Sequence, residues 1–74
     1  MSDISTMALV NTTYENCKRL IVSRKQRLAN GLMTKAEYDE FAEDLKTKLD
    51  IFLLNNRITQ EQYDELMALL VVVA

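Results

Sequence analysis

The chain has no histidine and no proline, and only one glycine and one cysteine in 74 residues. Each shortage excludes something. Without histidine, the usual general base near neutral pH is missing, and with it the commonest side chain for a metal cluster. A single cysteine, Cys17, cannot build a disulfide framework. With no signal-peptide pattern at the start, it points to a reducing, cytosolic setting. Without proline, and with one glycine, helices meet few breakers, which favours an all-α fold. Long hydrophobic runs are missing too. The longest, residues 66–74, is too short to span a bilayer, so no membrane partner is expected.

Hydrophobic residues nevertheless make up 49% of the chain, so it is not a disordered segment. The length fits one domain near the small end of what folds alone. Such a chain buries only roughly 60% of the surface that its unfolded form exposes. Small domains without covalent or metal staples rely on very regular packing or on oligomerisation. The formal net charge is −2, unevenly spread. Residues 1–30 hold five cations against two acids, whereas residues 31–74 hold four cations against nine acids. Opposite signs on successive helices favour their mutual attraction. An acidic second half argues against nucleic acid as a general partner.

A repeat organises the chain. Asn30, Thr34, Tyr38, Asp39 and Glu40 recur as Asn55, Thr59, Tyr63, Asp64 and Glu65, 25 residues on. Thr34 with Glu37, and Thr59 with Gln62, have capping-box spacing. In that motif the threonine hydroxyl accepts from a first-turn amide, and the Glu or Gln side chain accepts from the amide of the cap. Met33 and Ile58 stand where a hydrophobic staple would pack on Tyr38 and Tyr63. Asn30-Gly31 and Asn55-Asn56 suit a left-handed helix ending. Both copies therefore spell helix, turn, helix, and say nothing of chemistry.

The predicted helices are about 13–29, 35–54 and 60–72, with residues 1–10 as a flexible or docking arm. Thr12 and Glu15 form a third capping-box spacing and are expected to open helix 1. Its seam is Tyr14, Cys17, Ile21 and Leu28, with Leu20 beside them. In helix 2, Tyr38, Phe41, Ala42, Leu45, Leu49, Phe52 and Leu53 form one apolar stripe, and Asp39, Glu40, Glu43, Asp44 and Asp50 lie opposite. Tyr63, Leu66, Met67 and Leu70 make the core face of helix 3. Ile51, Leu54, Leu69, Val71 and Val72 fall off these stripes and, with the apolar residues 7–10, lack intramolecular partners in this scheme. They are the candidate self-association surface, most simply of a two-fold dimer.

No constellation resembles a catalytic site, so no enzyme and no cofactor are expected. Cys17, on an apolar face, reads as a small buried hydrophobe. The acids of helix 2 read as a solvated face, since calcium needs six to eight oxygens from a shaped loop. Arg24 has two readings. Its stem lies over the core while its guanidinium reaches a carboxylate on helix 2, or it contacts an anion such as a phosphate. The cations of helix 1 do not gather into one stripe. The helix after the first corner starts Lys35-Ala36-Glu37-Tyr38-Asp39-Glu40, too acidic for a DNA-recognition helix.

The segment Gly31-Leu32-Met33-Thr34-Lys35-Ala36-Glu37-Tyr38 and its echo Arg57-Ile58-Thr59-Gln60-Glu61-Gln62-Tyr63 carry a family likeness. They resemble the "Gly, any, Ile, Thr, any, Glu, Glu, aromatic" pattern of SHOCT-type short helical domains. The segment is also similar to short XkdX-type proteins encoded near tail genes of phages and prophages of Gram-positive bacteria. The likeness covers residues 28–70, and its 25-residue spacing is longer than the XkdX type has. It implies a small phage or prophage protein without catalytic residues, working as an oligomerisation or interaction module.

The expected fold is all-α: a small antiparallel three-helix arrangement with a long central helix and two similar helix–turn–helix corners. The expected role is a non-enzymatic oligomeric interaction or assembly module, in the host-cell cytoplasm or associated with a virion, with itself and another phage or host protein as partners. A second reading is an inhibitor or sequestering protein acting on a host defence or regulatory factor or a small anionic ligand. A third is a small nucleic-acid-binding regulator. Thr34→Ala and Thr59→Ala should each destabilise the fold by about 1 kcal/mol through a lost cap. Thermal unfolding unchanged in both variants would mean that the helix starts lie elsewhere.

Overall fold

Local bonds at the two corners fix the path of the chain. The computed structural model describes the backbone of residues 2–72 and the side chains of residues 12–72. It contains α1 (Ser2–Ala29), α2 (Lys35–Leu54) and α3 (Gln60–Leu70). At the end of α1, the Leu32 amide donates to the Arg27 carbonyl at 2.8 Å, and the Gly31 amide donates to Leu28 at 3.2 Å. At the end of α2, Arg57 donates to Phe52 at 2.8 Å, and Asn56 donates to Leu53 at 3.1 Å. This is the Schellman pattern, made twice at equivalent positions of the repeat. It requires one left-handed residue, and Gly31 (φ 74°) and Asn56 (φ 59°) supply it. Glycine enters that region without a Cβ penalty, and Asn tolerates it better than most residues.

Each turn then opens the next helix through a complete capping box. The Thr34 hydroxyl accepts from the Glu37 amide at 3.1 Å, and the Glu37 carboxylate accepts from the Thr34 amide at 2.9 Å. The Thr59 hydroxyl and the Gln62 side chain repeat this at 3.1 and 3.0 Å. The Thr34 amide bonded to its carboxylate holds Glu37 below the usual carboxylate range.

Short corners turn α2 antiparallel to both neighbours, so α1 and α3 run parallel. The core takes Cys17 and Ile21 from α1, Tyr38, Ala42, Leu45 and Leu49 from α2, and Leu66 and Leu70 from α3. The α2 set follows i, i+4, i+7, i+11, one face of a 3.6-residue helix. Ile58, ahead of the second cap, is also buried and closes one end of the core.

Two helix limits differ from the sequence reading. α1 begins at Ser2 rather than near residue 13, so Thr12 lies inside a helix and does not start one. The stretch before it has neither proline nor glycine and includes Met7, Ala8 and Leu9, which are compatible with helix. Residues 2–10 are helical and continue into the rest of α1. The docking expected of the side chains of residues 7–10 lies outside the described residues. At the other end, α3 stops at Leu70 rather than residue 72, and Val71 is extended (φ −67°, ψ 129°). β-branched valines lose χ1 freedom in a helix, which makes a valine run a poor continuation.

All three tyrosines bond between helices. Tyr14 on α1 donates to the Glu65 carboxylate on α3. Tyr63 on α3 donates to Asp50 on α2 at 2.6 Å. Tyr38 on α2 is fully buried and donates to the Leu70 carbonyl at 2.7 Å. Lys25 on α1 donates to the Leu69 carbonyl at 2.9 Å and to Val71 at 3.4 Å. The final carbonyls of α3 are thus bonded by its two neighbours. Tyr38→Phe should destabilise the fold by about 1–2 kcal/mol, because it strands a carbonyl beside the core. Urea denaturation measures this, and an unchanged midpoint would mean that water replaces the hydroxyl freely.

Candidate interaction groove

Three helices leave one face between α1 and α2 that α3 does not cover. A groove of about 700 Å³ runs along it. Cys17 and Leu45 form its floor, with Leu20, Phe41 and Phe52 on the walls. Leu20 is 43% exposed, and both phenylalanines are half-buried. The α2 stripe causes this: it is wider than the contact that α3 makes, so its Phe41 and Phe52 edge is left over.

Charge is ordered along the groove. Glu37, Glu40 and Asp44 line the end near the start of α2, and Lys48 and Arg57 line the other. Arg24 lies at the acidic end, its guanidinium carbon 5.4 Å from the centre of the Phe41 ring. Its contact is thus an aromatic face, a cation–π arrangement, rather than the helix 2 carboxylate expected from sequence. No anion contact is made there by protein groups alone, so the second reading of Arg24 stays a proposal.

The five residues expected to form one apolar surface are not brought together. Ile51 and Leu54 are exposed near the second corner. Val71 is exposed near Tyr38, at the other end of α2. Thirteen residues of helix, about 20 Å, separate Tyr38 from Ile51. Leu69 and Val72 pack partly against the core instead of facing outward. The antiparallel turn is the reason: it puts the end of α2 beside the start of α3, not beside its end. The sequence reading missed the groove, although its Phe41 and Phe52 were visible as the edge of a 120°-wide stripe.

Burial pushes the Cys17 thiol up from its usual value. The phenols are also raised: Tyr14 by its bond to Glu65, Tyr63 by its bond to Asp50, and Tyr38 by burial. Each is therefore held in its protonated, weakly nucleophilic form. Among the described residues, no group of three or more Cys, Asp or Glu side chains could hold a metal ion. Nor is any helix of the described residues long and apolar enough to cross a membrane. Comparison with models of protein families, with curated proteins and with solved structures finds no match to this chain.

Cys17 is 4% exposed, so a thiol reagent should label the native protein slowly and the denatured protein at the rate of a free thiol. Equal rates in both states would mean that Cys17 is accessible and open to a nucleophilic role.

Proposed function

We propose that this chain is a non-enzymatic interaction or assembly module of phage or prophage origin that works as a homo-oligomer. The observation that carries this reading is the open groove. Its floor and walls hold Leu20, Phe41, Leu45 and Phe52, while burial pushes the thiol of Cys17 on the floor up, away from its reactive thiolate form. An open groove with apolar walls and a charged rim has the layout of a docking surface, apolar at its centre and polar at its edge. A fold this small also gains most from a partner, because its own core is limited. The phage or prophage origin rests on the likeness of residues 31–38 and 57–63 to SHOCT-type and XkdX-type segments. In this reading the protein works in the host-cell cytoplasm or on the virion, and another phage or host protein is a further partner.

The inhibitor or sequestering reading keeps one supporting observation. Glu40 and Asp44 stand beside the apolar wall of the groove, a combination suited to a basic, amphipathic partner segment. The nucleic-acid reading is weakened by the use of the α1 cations. Lys18 pairs with Glu65 and lies over the Tyr14 ring, Lys25 bonds the end of α3, and Arg24 lies over Phe41.

Light scattering coupled to size exclusion tests the proposal. At tens of micromolar, the chain should elute with a mass of at least two copies. A single-copy mass at that concentration would overturn the homo-oligomeric reading.

A further inference from the structure

We infer that the α1/α2 groove is the seat of a second copy of this chain, docked about a two-fold axis that crosses the groove midway. This rests on the self-association proposed above and assigns it a surface, a symmetry and the residues that set the register.

The argument is the order of the charges. Past Asp44 the groove changes sign. The acidic half holds Glu37, Glu40 and Asp44 with Arg24, a balance of −2. The basic half holds Lys48 and Arg57, a balance of +2. A two-fold axis between Asp44 and Lys48 lays each half on the opposite half of the other copy, so −2 meets +2 twice. Isologous contacts require such self-complementarity, and an unrelated partner would not. A parallel, head-to-head stacking of the grooves would set like charges together, which is disfavoured.

The apolar residues fit the same axis. On α1, Arg24 lies level with Phe41, and Cys17 lies near enough to Lys48 to feel its charge. Leu20 is therefore level with the middle of the groove, where the axis passes, and it is among the exposed large apolar side chains. Phe41 and Phe52 lie on either side of the centre, so each faces the other's counterpart across the dimer. Glu37 to Phe52 spans about 23 Å of α2, on a molecule 22 Å across. A face of that size offers on the order of 500 Å² per copy, below the roughly 800 Å² of a standard interface, which suits a dimer that dissociates on dilution.

Charge exchange tests the register. Glu40, Asp44, Lys48 and Arg57 are all exposed, so their replacement should leave the monomer fold in place. Glu40→Lys with Asp44→Lys makes both halves +2, and Lys48→Glu with Arg57→Glu makes both −2. Each double variant alone should dimerise at least tenfold more weakly than the wild type by sedimentation equilibrium. An equimolar mixture should recover a one-to-one complex, more tightly at low salt. Leu20→Asp, which places charge on the axis, should give a monomer with unchanged helical circular dichroism. A wild-type dimer whose strength survives all three variants would overturn the groove while leaving self-association intact. So would a mixture no tighter than its separate components. A wild type that stays a single copy at tens of micromolar would remove the second copy as occupant and the homo-oligomeric reading with it.

Discussion

The buried hydroxyl of Tyr38 on the Leu70 carbonyl is the contact on which the rest of this fold depends. α3 has only 11 residues, and an isolated helix of that length is marginal in water. It has no basic residue in its last turn to meet the negative end of its own dipole. Both needs are met from outside. Tyr38 comes from the first turns of α2, and the Lys25 ammonium comes from the last turns of α1. The ends of three helices are thereby tied at one point. At the opposite end, Tyr63 reaches Asp50 and Ile58 is buried, so α3 is held at both ends by groups outside its own turns.

The corners were legible in the sequence because cap grammar is local. A threonine and a Glu or Gln three residues on make their bonds whatever lies far away, and both boxes form. The left-handed residues were legible for the same reason, since Gly31 and Asn56 answer to their own φ. Thr12 and Glu15 show the limit of that grammar. The same spacing occurs inside a helix when the residues before it are also helical. The partner of Arg24 was not legible, because a carboxylate and the Phe41 face both stood within plausible reach until the helices were placed. Leu69 and Val72 were read as outward-facing from a helical wheel, which knows nothing of how far the neighbouring helices wrap. Ile58 was assigned to a staple, and its burial depends on the end of the core that the corner covers.

The groove follows from a mismatch between stripe widths. α2 presents a broad apolar face to two neighbours, and three short helices cannot enclose it on every side. The surplus collects between α1 and α2, around Phe41 and Phe52. A fourth helix would close such a face in a larger bundle, and a second pair of helices from another copy is geometrically equivalent. The acids of α2 then have two roles by position. Asp50 meets Tyr63 within the molecule, whereas Glu40 and Asp44, at the rim, form no ion pair among the described residues.

The two corners match in geometry but not in chemistry, and this gives the molecule an acid-sensitive end. Glu37 closes the first box as a carboxylate, and Gln62 closes the second as an amide that does not titrate. The Glu37 pKa is lower in the folded chain than in the unfolded one. Its contribution is therefore complete above the unfolded value and disappears as pH falls through the folded value. Acidification weakens the first capping box, whereas the second box, closed by an amide, keeps both its bonds. The capping of this fold is accordingly acid-sensitive at the Gly31 corner and indifferent to acid at the Asn56 corner.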